Sequence, residues 1–399
     1  MIRLKNGIKI IFIKNNKKYI NINFTYMVGN KNESDLQCGF AHLLEHLFLR
    51  STRNKKYSEI IKELESCGAQ INACTKMEFT HFYMDCLLGQ FKNSFDLFLD
   101  LLINDYYNDD EFVKAVNIVN EEIELYKKSP IDVLNVSLNK NIYDCGMKNS
   151  ITDRKFENIP QLSDLIDFKN KYYRSDNLVV TISGKITHSI KKYIRYKLLA
   201  VMQGDSNCDD CSMVRFQETV TLPYCVEDDK QIIIGKRYIY PTNNFDDFVK
   251  IKILGKILGG SISSRLFNNL REDKGLVYSI YSYSDMFVKH ATLSIVVYVG
   301  PDKYKTTLSL LDENLSKDQI LTISLNEFKK AKMLLCLNFA KEFSENCNLS
   351  HFVSESYFIY SLQLNYKKFI KNIKKIKYND FMNFCNSINN NWYNSIVQY

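Results

Sequence analysis

Proline and glycine are scarce in this chain, 5 and 14 of its 399 residues, which excludes collagen-like and low-complexity segments. No window supplies the ~20 uninterrupted apolar residues of a membrane span. The opening residues, Met1-Ile2-Arg3-Leu4-Lys5-Asn6-Gly7, carry charge where a secretory signal needs an apolar run. A soluble, cytoplasmic protein is therefore expected. Charge of one sign is also lacking: 53 basic side chains against 45 acidic ones leave +8. The lysine clusters at 17–18 and 371–375 come with no nucleic-acid recognition motif, so they read as solvated faces and no nucleic-acid partner is expected. Eleven cysteines sit scattered in apolar and helical contexts, as free thiols of a reducing compartment do. Cys208-x-x-Cys211 has no second ligand pair to close four-coordination, which sets a structural metal there aside.

What the chain does have is apolar and aromatic bulk: 45% hydrophobic residues, with 26 tyrosines and 25 phenylalanines. Length alone predicts two or three domains. Asn6-Gly7 marks a hairpin turn leading into a strand over 8–13. Ile20, Ile22, Phe24, Tyr26 and Val28 alternate as one strand face, and Phe82, Met84 and Cys86 repeat the pattern over 79–88. Helices are predicted over 38–49, from an N-cap at Ser58 to Cys67-Gly68, over 91–103, and over 109–128 with Pro130 as its stop. Asn177 to Gly184 reads as a buried strand, with Leu178-Val179-Val180-Thr181-Ile182 at its centre. The polar stretch 203–215 reads as a linker. Beyond it the order repeats: a strand at 231–239, a helix at 246–258, a Gly259-Gly260 break before another helix, then strands at 277–284 and 291–299. Two similar α+β domains, 1–205 and 206–399, fit this order better than one alternating α/β sheet.

The chemistry concentrates in His42-Leu43-Leu44-Glu45-His46. Side chains four apart share a helix face, so both imidazoles can address one ion. Glu45 lies about 60° from His42 around the axis, within reach of a water on that ion without being a ligand. Phe40, Ala41, Leu43, Leu44, Leu47, Phe48 and Leu49 make the helix apolar nearly all round, which predicts burial. Buried imidazoles and a buried carboxylate need partners, and a shared divalent cation serves all three. With six histidines and 45 acids in the chain, chance supplies about 0.01 copies of this pattern. A hydrolytic zinc site takes three protein ligands and leaves a position for water. The helix over 109–128 offers Glu121 and Glu122 as the third, and pattern alone does not choose between them.

His42-x-x-Glu45-His46 followed by Asn120-Glu121-Glu122-Ile123 resembles the inverted-motif zinc peptidases, the family of pitrilysin, insulin-degrading enzyme and the mitochondrial processing peptidase. Gly39-Phe40-Ala41-His42, Gly68-Ala69-Gln70-Ile71-Asn72-Ala73 and Ser129-Pro130 extend the likeness, and 254–284 renews it. The resemblance implies Glu122 as the distal ligand, with zinc as the metal and Glu45 as the base. Ala115 stands where the family has a supporting carboxylate. Arg271 and Tyr278, seven apart after Gly259-Gly260, map to the pair that holds substrate. Asn72 and Ala73 map to an exposed edge strand that pairs with peptide backbone. His81, on an alternating strand, reads as a surface or core histidine rather than a ligand.

The family's fold implies two tandem domains, each a mainly antiparallel sheet packed with helices, making half of a clam-shaped chamber. A homodimer, or a heterodimer with a related chain, is thereby implied. So is a peptide substrate, either unfolded peptides in general or a precursor such as the leader of a ribosomally made peptide. The competing expectation is a non-catalytic, peptide-binding subunit of a heterodimeric processing peptidase.

Overall fold

The computed structural model of the chain describes residues 1–50, 52, 55–103, 107, 109–144, 146–148, 155–157, 159–201, 231–361 and 366–398. The expected linker at 203–215, the boundary at 205/206 and the Cys208/Cys211 pair lie outside the described residues.

In chain order the strands are β1 (Ile2–Arg3), β2 (Lys9–Lys14), β3 (Tyr19–Tyr26), β4 (Ala69–Thr75), β5 (Thr80–Leu87), β6 (Leu178–Gly184), β7 (Ile232–Pro241), β8 (Val277–Met286), β9 (His290–Val299) and β10 (Trp392–Gln398). The helices are α1 (Phe40–Phe48), α2 (Tyr57–Ser66), α3 (Phe91–Ile103), α4 (Asp109–Lys127), α5 (Pro130–Ile142), α6 (Leu162–Tyr172), α7 (His188–Leu199), α8 (Phe245–Leu258), α9 (Tyr304–Asn314), α10 (Lys317–Leu321), α11 (Leu325–Glu342), α12 (Asn346–Tyr360), α13 (Tyr366–Lys375) and α14 (Tyr378–Ser387).

These elements form an α+β fold of two compact units. The first holds residues 1–125, 145–213 and 342–365; the second holds 126–144, 214–341 and 366–399. Each unit thus takes a segment from the opposite half of the sequence, so neither is one contiguous half.

The first unit carries a six-stranded sheet in the order β1-β2-β6-β3-β5-β4. Only β2 and β6 pair in parallel; the other neighbours are antiparallel. Gly7, at φ +92°, closes the β1–β2 turn where Asn6-Gly7 predicted it. On one sheet face Ile20, Ile22, Phe24, Phe82, Met84 and Ile182 join Phe91, Phe95, Phe98, Val116 and Val119 of α3 and α4 in a core. The other face is polar yet equally covered. Asn21, Asn23, Thr25, His81 and Ser183 are all fully buried there, and α12 packs on β3 and β6. Thr25 Oγ1 donates to Ser354 Oγ at 2.8 Å, and His81 Nε2 meets Glu355 Oε1 at 2.8 Å. Hydrogen bonds pair Thr25, His81 and Ser354 on this face, whereas Asn21 Oδ1, Asn23 Oδ1 and Thr181 Oγ1 find no partner among the described residues.

The second unit has an antiparallel sheet in the order β10-β7-β9-β8. Its polar face is closed in the same manner by α5, which packs on β7 and β10. Arg237 is buried there and donates to Ser294 Oγ at 2.8 Å and Asn139 Oδ1 at 2.7 Å.

Three departures from the sequence reading have local causes. Pro130 does not merely stop α4; it opens α5 at a first-turn position, where its missing N–H costs nothing. α2 begins at Tyr57, because Lys56 takes the N-cap position and Glu59 Oε2 accepts its N–H at 2.9 Å. The helix expected after Gly259-Gly260 is a π-helix over Phe267–Asp273.

Candidate metal centre

α1 starts abruptly. Gly39 sits at φ +91°, a left-handed conformation that suits glycine, and the chain turns there into the helix. The buried carboxylate of Glu33 accepts the Gly39 N–H and the Ala41 N–H, each at 2.8 Å. Burial pushes the Glu33 carboxyl up to about 7, against the pull of these two donors. A carboxylate at a helix N-terminus also meets the positive end of the macrodipole. Sequence reasoning missed Glu33; its place six residues before the helix-entry glycine is the signal that could have found it. A Cβ on Gly39 would approach Phe156 Cζ at 3.0 Å. Gly39→Ala is therefore expected to lower stability by about 2 kcal/mol, most of it from the left-handed backbone, and urea unfolding measures this directly.

The helix buries Phe40, Ala41, Leu43, Leu44, Leu47 and Phe48. His42 is buried with them, at 4% exposure, and His46 is partly buried. Their Nε2 atoms stand 3.2 Å apart. Glu122 reaches in from α4, with Oε2 at 3.4 Å from each of the two Nε2 atoms. Helix periodicity explains the choice between the two glutamates: Val119 and Ile123 face the core, and Glu122 lies on the side that meets α1. Ala115, two turns earlier, is fully buried among apolar side chains, so no carboxylate stands there. α4 is tied in place by Asn120, which exchanges two hydrogen bonds with the backbone of Phe156, at 3.1 and 2.9 Å.

Three donors at mutual distances of 3.2–3.4 Å match a tetrahedral ion. Bonds of about 2.0–2.1 Å to nitrogen or oxygen place neighbouring ligand atoms about 3.3–3.4 Å apart. Among the described residues these are the one group of three such side chains whose ligand atoms all lie within 4.8 Å. Their protonation suits a cation as well. Hydrogen bonding to His42 holds Glu122 below the usual carboxylate range, and burial, helped by His42, lowers the pKa of His46.

Glu45 lies beside this group without joining it. Burial raises its pKa, and the Thr75 hydroxyl opposes that rise from 2.5 Å away at Oε2. Thr75 ends β4, the edge strand of the sheet, and Asn72 and Ala73 lie on that edge. His81, on β5, is a buried core residue bonded to Glu355. Arg271 and Tyr278 belong to the second unit. Arg271 is exposed on the π-helix with its guanidinium over the Phe267 ring. Tyr278 is 76% exposed on β8, the edge strand of the second sheet.

Two family models match the chain. The one described as insulinase, peptidase family M16, covers residues 9–154, and with them His42, Glu45, His46, Asn72, Ala73 and Glu122. The one described as the peptidase M16 inactive domain covers 161–335, which includes Arg271 and Tyr278. A Bacillus subtilis protein named as an uncharacterized zinc protease is 26% identical over 347 residues, 82% of this chain and 80% of that protein. A Rickettsia bellii protein named in the same way is 24% identical over 401 residues, 97% of this chain and 94% of its own. The fold matches a crystallised protease from Helicobacter pylori with a TM-score of 0.86 at 20% identity, over 100% of this chain and 98% of that one. It also matches a Pseudomonas fluorescens structure titled as a peptidase M16 inactive domain, with a TM-score of 0.87 at 17% identity, over 99% and 96%.

Proposed function

The chain belongs to peptidase family M16, the insulinase family, and from that premise we propose that it is a zinc-dependent endopeptidase acting on unfolded peptides or on a peptide precursor. One observation carries the reading: His42, His46 and Glu122 converge from two helices to tetrahedral spacing, with Glu45 held alongside. His42, His46 and Glu122 would hold zinc, which would supply Lewis-acid activation of a water and of the scissile carbonyl.

The chain's own residues supply the rest. Glu45 takes the proton of the attacking water and delivers it to the departing amine. Its buried setting favours that exchange by making the carboxylate a better base than an exposed one. Across two copies, Tyr278 of one donates its hydroxyl to the oxyanion developing at the metal centre of the other, and Arg271 holds a neighbouring carbonyl. The free edge of β4 at Asn72 and Ala73 pairs with the backbone of an extended peptide, largely regardless of its side chains. Residues 1–205 supply the three metal-binding side chains and the base, and residues 206–399 supply Arg271 and Tyr278. Two copies, or this chain and a related one, complete the chamber in the cytoplasm. No disulfide joins the described cysteines, in keeping with a reducing compartment.

Purified protein is expected to hold one zinc per chain and to cleave an unstructured peptide library, with products read by mass spectrometry. A chelator abolishes the cleavage and added zinc restores it. Mixing Glu45→Gln chains with Tyr278→Phe chains recovers activity where two copies share sites. A zinc-loaded chain that cleaves no member of the library is instead the non-catalytic subunit of a heterodimer.

A further inference from the structure

We infer that Thr75 is a positioning residue that locks the base Glu45 to the peptide-binding edge of β4, so that the strand holding the substrate also sets the place of the base. The inference rests on the peptidase reading above and adds a residue to it.

The geometry begins with backbone alternation. Along an edge strand, successive residues turn their N–H groups alternately toward the neighbouring strand and away from it. Lys76, just past β4, donates its N–H to Phe79 O at 2.7 Å, toward the β5 side. Ala73 and Thr75 are therefore the residues whose N–H groups face outward. The Ala73 N–H confirms this, because its partner at 2.8 Å is the Asn72 side-chain Oδ1 rather than a strand. The next outward N–H is that of Thr75, whose side chain reaches the Glu45 carboxylate. The Thr75 hydroxyl donates to Glu45 Oε2 at 2.5 Å. One hydrogen bond from this threonine thus ties the carboxylate to the strand.

Glu45 consequently lies at the residue of β4 whose outward position follows Ala73. Two residues of strand span about 6.6–6.8 Å. A peptide that displaces the Asn72 side chain and pairs at Ala73 is carried along this edge to the base at a fixed offset. Thr75 is itself buried, at 7% exposure, so water does not compete for its hydroxyl. It touches neither the three metal donors nor the substrate; it acts through Glu45.

The test uses the zinc-loaded full chain and a quenched-fluorescence unstructured peptide. Thr75→Val keeps the shape and removes the hydroxyl; kcat is expected to fall about 10–100-fold, the worth of one charge-assisted hydrogen bond. KM stays within about twofold, since the edge that binds peptide is intact, and zinc content stays at one per chain. Thr75→Ser returns the hydroxyl and brings kcat back to within about threefold of wild type. Should Thr75→Val fail to fold, Thr75→Ala carries the same expectation. A kcat within threefold of wild type in the hydroxyl-less variant, or a Ser variant as slow as the Val one, overturns the assignment. Both results require an active wild type. A wild type that cleaves nothing overturns the peptidase reading and this inference together.

Discussion

Glu45→Gln is expected to lower kcat on an unstructured peptide by about 10²–10⁴-fold, the usual worth of a positioned general base, while zinc stays at one per chain. The substitution is nearly isosteric and keeps an acceptor for the Thr75 hydroxyl, so α1 has no reason to shift. What it removes is the capacity to bind and release a proton beside His42, His46 and Glu122. The pairing of lost turnover with retained metal is the discriminating result. Loss of zinc would mean that Glu45 is a ligand, in conflict with its place outside the group of three donors. Unchanged turnover would assign the base to another residue.

His46→Ala is expected to abolish hydrolysis by a different route, through the metal. Substitutions that only support a ligand weaken metal binding about 10–100-fold; removing one of three ligands should exceed that. The effect is legible without any substrate. A ligand that binds only the folded state stabilises it by about 2.7 kcal/mol at a free concentration of 100 Kd. Zinc should therefore raise the Tm of the wild type and leave that of His46→Ala unmoved. His46 suits this test better than His42, because its side chain is 18% exposed against 6%, so the cavity left behind costs less stability. An equal zinc-induced rise in both proteins would show that the ion sits elsewhere.

Much of the site was legible because it is local. His42, Glu45 and His46 lie within a little more than one helical turn, and helix geometry sets their relative directions whatever surrounds them. Burial of α1 followed from the apolar residues around it. Strand positions followed from alternation, as at Ile20 to Val28, and the hairpin from Asn6-Gly7. The helices over 162–172 and 188–199 escaped notice although Leu165, Phe168 and Tyr172, and Ile190, Ile194 and Leu198, recur at helical spacing.

The choice between Glu121 and Glu122 was not local. Both are helical glutamates, and only the packing of α4 against the core turns one of them toward the paired imidazoles. The hold of Thr75 on Glu45 likewise joins residues 30 apart in sequence. The polar sheet faces are a further case. Asn23, Thr25 and His81 alternate with apolar residues as solvent-facing positions do, yet α12 covers them from more than 250 residues away, and α5 does the same for Arg237 in the second unit. By itself the sequence determined the elements and the chemistry carried within single turns, since backbone geometry dictates those distances. Which remote side chains meet was decided by tertiary packing, because burial and hydrogen-bond pairing can be satisfied only when the distant segments are in place.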